Sequence, residues 1–204
     1  MIAVIDYGAG NLRSVTNALV KLGYQPKVTS KPNDVRNAAA VIFPGVGAAA
    51  DAMYSLRESG LDGAIQQIVS QGQYLFAVCI GLQVLLSVSE EDGRHDCLGV
   101  IPGTVKRLPP GLKVPHTGWN QVKQIVKHPI FEGIPDEANF YFVHSYYADP
   151  DDAGVVAGIT EYGISLCSVL IKDNLVATQF HPERSGDLGL RMYANFLKMA
   201  GVKR

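Results

Sequence analysis

Residues 73–87 read QYLFAVCIGLQVLLS. The unbroken apolar run Tyr74–Val78 has the length and character of a strand buried on both faces. It delivers Cys79, and Gly81 follows two positions later. Leu82, Leu85 and Leu86 then share one helical stripe with Gln83 at its edge. The order is strand, sharp turn, helix, with a thiol on the turn. A turn of this kind lifts a nucleophile above a sheet and needs small flanking residues, because its backbone is strained and tight. Here the frame is Ala77-Val78-Cys79-Ile80-Gly81. The positive end of a helix dipole favours the thiolate form of a cysteine placed there. The same residues also fit a buried structural cysteine, the usual fate of a free Cys beside a strand. Only the rest of the chain separates the two readings.

Upstream, strands and helices alternate. Ile2–Ile5 is a β-branched run without polar alternation, residues 12–22 form an amphipathic helix closed by Gly23, and residues 25–29 a second strand. Residues 34–39 read as a short helix, Ala40–Phe43 as a third strand broken by Pro44-Gly45-Val46-Gly47, and residues 48–70 as helix interrupted near Gly60. This predicts an α/β fold with a mostly parallel central sheet covered by helices on both faces. The glycine loops at 8–10 and 44–47 are not dinucleotide fingerprints, since Arg13 and Ala50 stand where a third glycine belongs, and neither holds the Gly-Lys-Ser/Thr of a P-loop. Both lie at carboxyl ends of expected parallel strands, where such folds place their sites.

After Ser89 the pattern changes. Glu90, Glu91, Asp92 and Arg94 suggest a solvated charged loop. Strands are expected at 99–108, 117–125, 139–147, 155–159, Ser165–Lys172 and 175–180, with a hairpin turn at Asp173-Asn174. These read as a mixed or antiparallel extension of the first sheet, followed by a terminal helix over 188–199. No linker or repeat divides the chain, so residues 1–204 are expected to form a single domain.

The 204 residues carry a formal net charge of -1, which gives no electrostatic case for nucleic acid or an anionic membrane. No apolar run reaches the roughly 18 residues that span a bilayer. The start MIAVIDYG lacks a basic n-region, so no signal peptide is expected. Cys79, Cys97 and Cys167 are odd in number and far apart, which argues against a disulfide framework and for a reduced, cytoplasmic protein. No close pair of Cys or His has zinc-ligand spacing, so neither a metal nor a cofactor is expected.

A cysteine nucleophile needs a base and a group that orients it. His95 and His128 sit in loops and read as surface residues, and His144 as a strand-end histidine with a structural hydrogen bond. His181 ends an expected core strand and precedes Pro182 and Glu183. A two-residue repeat would project His181 and Glu183 to one side, within reach of each other. An isolated His-Pro-Glu is most simply a strand end with a solvated carboxylate. Its occurrence with the cysteine turn favours a Cys-His-Glu set.

With these residues in place the chain resembles the class I (triad) glutamine amidotransferases. Within them DYGAGN at 6–11, PGVG at 44–47, PHTGWN at 115–120, FVHSYY at 142–147 and ATQFHPERSGDLG at 177–189 resemble the glutaminase subunits of imidazole glycerol phosphate synthases. The resemblance covers nearly the whole chain. It implies that Cys79 attacks the side-chain amide of L-glutamine, with His181 as base and then acid and Glu183 as its orienter. It also implies oxyanion donors at Ile80 and near Val46, and glutamine contacts at Gly47, Gln83, Ser145 and Tyr146. Ammonia would pass to a cyclase subunit, a β/α barrel, in a heterodimer whose interface lies near Trp119 and Asn120. The chain departs from the family pattern at Ala77 and Ile80 around the nucleophile, at the alanine run 48–50, and at Thr117.

Overall fold

The computed structural model describes residues 1–8 and 10–203, so Ala9 of the 6–11 motif lies outside the described residues. The first half runs β1 (Ile2–Ile5), α1 (Leu12–Lys21), β2 (Pro26–Thr29), α2 (Pro32–Arg36), β3 (Ala40–Phe43), α3 (Ala49–Ser59), α4 (Leu61–Ser70), β4 (Tyr74–Val78) and α5 (Ile80–Val84). The second half runs β5 (Val88–Ser89), β6 (His95–Asp96), β7 (Gly103–Arg107), β8 (His116–Gln124), β9 (Ala138–His144), β10 (Tyr146–Pro150), β11 (Val156–Glu161), β12 (Ser165–Lys172), β13 (Leu175–Thr178) and α6 (Gly186–Met199). Strands β2, β1, β3, β4 and β13 lie side by side in parallel. The sheet continues through β12, β10, β7, β5 and β6, largely antiparallel, while β8, β9 and β11 branch from β12. The expected parallel sheet with an antiparallel extension is the fold observed.

The missing hydropathic alternation of the central strands has a direct cause. Each strand gives alternate side chains to two separate cores. Ala3, Ile5, Val41, Phe43, Leu75 and Ala77 face α3, α4 and α5. Ile2, Val4, Ala40, Ile42 and Phe76 face α1 and α6. With water on neither face, every position is apolar. Phe76 shows how this packing is made: it stacks on Phe196 at 5.2 Å and meets Tyr193 edge-on at 5.2 Å. Removing such a ring from a filled core costs about 3–5 kcal/mol.

Three departures from the sequence expectations have physical reasons. The strand expected over 99–108 begins only at Gly103, because the N–H groups of residues 98–101 donate to the carbonyls of Val84, Leu85 and Leu86, satisfying the open end of α5. That helix is a single short turn, Ile80–Val84. The expected strand over 139–147 splits at Ser145, because β9 pairs with β8 whereas β10 pairs with β7 and β12. Ser145 sits where the chain changes partners. The loop around Glu91 is a tight connection between β5 and β6, and Glu91 is partly buried rather than solvated.

Helix α6 packs directly on the turn that follows β13. A Cβ at Gly189 would stand 1.8 Å from the Pro182 carbonyl oxygen. Gly→Ala in an open helix stabilises by about 1 kcal/mol. At Gly189 the clash reverses the sign. Gly189→Ala should destabilise the fold by about 1–3 kcal/mol, the usual cost of overpacking, and thermal unfolding of the two proteins side by side measures it. An unchanged or raised Tm would mean that α6 does not bear on this turn.

Candidate active site

The parallel strands end at one edge, and the carboxyl-terminal connections of four of the five meet there: Tyr7 after β1, residues 44–47 after β3, Cys79 after β4 and residues 179–181 after β13. Cys79 turns the chain with φ 54 and ψ -105, backbone that a non-glycine residue occupies only when its surroundings hold it there. One restraint is the Cys79 N–H, which donates to the Thr178 carbonyl at 2.7 Å and continues the β4–β13 ladder through the turn. Another is the closeness of α5 to β3. A Cβ at Gly81 would lie 2.4 Å from the Phe43 carbonyl oxygen, and one at Gly45 would lie 2.6 Å from the Tyr7 hydroxyl and 2.9 Å from Ile80 Cβ. Only glycine fits at both places. The methyl of Ala77 lies 3.4 Å from where a Cβ at Gly81 would stand, and the glycine leaves that space open to it.

β13 ends at Thr178, before the expected end at residue 180, and His181 stands three residues beyond it, its N–H donating to the Tyr141 carbonyl at 2.9 Å. The chain then forms a 3-10 turn, Pro182–Arg184. Glu183 therefore reaches the ring through this turn and not along a pleated strand, as the two-residue repeat had suggested. The Glu183 Oε1 lies 2.7 Å from His181 Nδ1, and both side chains are enclosed, at 0% and 1% exposure. Oε1 also accepts from the Asn11 side-chain amide, and Oε2 accepts from the Tyr193 hydroxyl at 3.2 Å. Asn11 closes the 6–11 motif and Tyr193 lies on α6, and nothing local in either stretch points to this role. They belong to distant segments that the fold brings against one carboxylate.

Burial by itself would pull the His181 pKa down. Interaction with Cys79 and with Glu183 outweighs it, and the ring is held well above its ordinary value of 6.5. Glu183 is the mirror case: burial raises it, and the hydrogen bond and charge of His181 carry it below its ordinary range. The pair is thus an imidazolium and a carboxylate. The other ring nitrogen, Nε2, is buried and makes no hydrogen bond of good geometry, although the Cys79 sulfur is close enough to interact with the ring. Such bonds often tighten only when substrate binds. Tyr7 carries another buried hydroxyl without a partner, and burial together with the Cys79 charge pushes it far up.

Cys79 and His181 open into a cavity of about 370 Å³. Val46, Gly47, Ile80, Gln83, Ser145 and Tyr146, all expected from the sequence, line the same cavity. Gln83 is nearly fully buried, and its Nε2 donates to the Tyr146 carbonyl at 2.9 Å and to Gln179 Oε1 at 3.2 Å. Glu183 stands behind His181, outside the lining. Glu91, Pro115, Val143, His144 and Arg184 complete the wall. Glu91 was hidden in the charged run; its Oε2 accepts from the Ala49 N–H at 2.6 Å, which fixes it at the cavity edge. Trp119 and Asn120 are not brought together. Successive strand residues face opposite ways, and Trp119 is 58% exposed while the Asn120 amide turns inward to His116 and the Glu161 carbonyl. Trp119 lies edge-on to Tyr141 at 6.1 Å, and the Arg184 guanidinium stands 4.2 Å above that ring.

This arrangement, a thiol on a strand–helix elbow with a His-Glu pair at the carboxyl edge of a parallel sheet, matches a known family. The family model for class-I glutamine amidotransferases matches residues 3–200, and the chain belongs to that family. Among its relatives, the imidazole glycerol phosphate synthase subunit HisH of Dehalococcoides mccartyi is 56% identical over 200 residues, covering 98% of each chain. The protein of the same name from Chloroflexus aurantiacus is 50% identical, covering 97% of this chain and 95% of its own. A crystal structure of a glutamine amidotransferase superposes with a TM-score of 0.78 at 24% identity, over 99% of this chain and 100% of that one, a likeness of fold.

The two pKa shifts predict how the pair responds to pH. A raised histidine pKa contributes stability that is complete below 6.5 and fades as pH rises through the folded value. The lowered Glu183 contributes above its ordinary 4.5 and loses that contribution as pH falls. In Glu183→Gln only the interaction with Cys79 still opposes burial, and the His181 titration should fall below its wild-type value, as read by NMR of the ring. The stability gap between the two proteins should be widest between pH 4.5 and 6.5. A His181 titration unmoved by the substitution would mean that the carboxylate does not hold the imidazolium.

Proposed function

We propose that this chain is the glutaminase subunit of an imidazole glycerol phosphate synthase, and that Cys79, His181 and Glu183 are its catalytic triad. The observation that carries the reading is the joint opening of Cys79 and His181 into one cavity, with Glu183 fixed behind the ring. In this mechanism the Cys79 thiolate, paired with the His181 imidazolium, attacks the side-chain amide carbon of L-glutamine. The C–N bond breaks, and the departing nitrogen takes its proton from His181 and leaves as ammonia. The γ-glutamyl thioester on Cys79 is then opened by water, whose proton returns to His181, and glutamate departs. Glutamine and water are consumed, glutamate and ammonia are formed, and the ion pair is restored.

The oxyanion that develops in each half would be held by backbone N–H groups of Ile80 and of the segment around Val46. Aimed donors of this kind contribute roughly 3–4 kcal/mol each in acyl transfer. Gly47, at φ 100, gives that segment freedom to direct its N–H groups inward. Substrate contacts are assigned to Gln83, Ser145 and Tyr146, with Glu91 as the carboxylate for the substrate's α-ammonium group. Burial raises the Glu91 pKa, partly offset by the bond from Ala49, and a neighbouring ammonium would draw it back to the charged form.

The ammonia is proposed to pass to a β/α-barrel cyclase subunit, where it completes imidazole glycerol phosphate and an aminoimidazole carboxamide ribotide. Trp119, Tyr141 and Arg184 make an exposed aromatic and guanidinium patch beside the cavity, the residue types that anchor protein interfaces. Asn120 would support that strand from its inner side. The chain is read as one amidotransferase domain working in the cytoplasm; among the described residues no helix is long and apolar enough to cross a membrane.

Cys79→Ala should abolish glutamine-dependent synthesis by the complex and leave ammonia-dependent synthesis by the barrel partner unchanged. Steady-state assays with each nitrogen source measure this. Retained glutamine-dependent turnover, or loss of both activities, would refute the assignment.

A further inference from the structure

One wall of the cavity is held by a chain of side chains that takes no part in the triad. The register of β8 against β9 sets His116 directly opposite His144. His116 Nδ1 lies 2.9 Å from His144 Nε2, and His144 Nδ1 lies 2.8 Å from the Tyr146 carbonyl oxygen. At the far end the Asn120 amide lies 3.3 Å from His116 Nε2.

Every proton in this chain can be assigned, because both ends are anchored on backbone groups of known polarity. The Tyr146 carbonyl can only accept, so His144 carries its proton on Nδ1 and accepts at Nε2. His116 must then donate from Nδ1 and accept at its own Nε2. The other end agrees independently: Asn120 Oδ1 accepts from the Gln121 N–H at 2.8 Å and its Nδ2 donates to the Glu161 carbonyl at 3.1 Å. That fixes the amide orientation, so the group facing His116 is a donor. Both imidazoles are therefore neutral Nδ1–H tautomers. Burial supports this by holding each ring down at about 4. His116 is further clamped between Tyr162, stacked at 3.9 Å, and Phe142, stacked at 4.9 Å.

We propose that His116 and His144 are positioning residues for the glutamine pocket, a neutral hydrogen-bonded pair that holds the Ser145–Tyr146 wall in its substrate-binding position. The Tyr146 carbonyl is the shared point, since it accepts from both His144 and Gln83. It ties the wall that follows β9 to the helix that follows Cys79. The inference rests on the reading of the cavity as a glutamine site. Holding this wall aids ground state and transition state alike, so its loss falls on KM and spares kcat.

The test uses the complex with its barrel partner and L-glutamine as substrate. His116→Phe keeps the ring between Tyr162 and Phe142 but removes the donor to His144. It should raise the KM for glutamine roughly tenfold, the scale of one buried hydrogen bond lost, with kcat within about twofold. His116→Asn, which returns an N–H near the Nδ1 position, should recover part of that loss. Nitrogen NMR of the imidazoles reads the arrangement without activity: wild type should show Nδ1–H tautomers at both rings, and in His116→Phe the His144 ring should stay Nδ1–H, held by the Tyr146 carbonyl, while its Nε2 resonance moves downfield on losing its donor. Wild-type Nε2–H tautomers, an unchanged KM in His116→Phe, or a fall in kcat alone would overturn the proposal. A wild-type complex without glutaminase activity would instead overturn the glutamine reading, leaving the tautomer result to stand or fall separately.

Discussion

The reversal of the chain at Cys79 is the constraint on which the active edge depends. A non-glycine residue at positive φ between a buried strand and a helix that starts at once survives only if both sides are fixed. The Thr178 carbonyl holds the Cys79 N–H from β13, and Gly81 lets α5 rest on the carbonyl end of β3. These contacts set three connections at fixed distances from one sulfur: the loop at 44–47, the elbow itself and the segment leading to His181. The central parallel strands β1, β3, β4 and β13 are short, but packed cores on both faces supply the stiffness that keeps the strained residue in place.

The same edge uses histidine in two opposite ways. His181 is buried yet kept cationic, because Glu183 and Cys79 offset its desolvation. His116 and His144 are buried and kept neutral, because desolvation disfavours their charge and their partners, a carbonyl, an amide and each other, supply no counter-charge. A charged ring can balance a thiolate and hand a proton to a leaving group. A neutral pair with fixed tautomers can only hold. Residue type and burial are alike in the two cases, and the difference comes from the Cys79 sulfur together with a carboxylate that Asn11 and Tyr193 orient.

The legible features in the sequence were those with a short-range signature. The apolar runs, the small residues around Cys79, the glycine at 60 between α3 and α4 and the proline after His181 each announce their structure locally. The cavity-lining positions Val46, Gly47, Gln83, Ser145 and Tyr146 came from family resemblance and not from any pattern of hydropathy. What was not legible depends on contacts between distant segments. Glu91 looked like one solvated acid among several until the Ala49 N–H was seen to hold it at the cavity. Residues 98–101 have a strand's composition but serve as the cap of α5. The turn at Pro182–Arg184 carries Glu183 to the ring along a path that strand periodicity does not describe, and Asn11 meets that carboxylate from the other end of the chain.

The central claim is that Cys79 alone among the three thiols is the nucleophile, and covalent capture tests it most directly. Burial pushes Cys97 up to about 11 and Cys167 up to about 12, so neither is a thiolate near neutral pH. The complex with the barrel partner, treated with an electrophilic glutamine analogue and digested for peptide mass spectrometry, should carry one adduct, on the peptide containing Cys79. Excess L-glutamine should protect it. An adduct on Cys97 or Cys167, or an unmodified Cys79 in an active complex, would contradict the account.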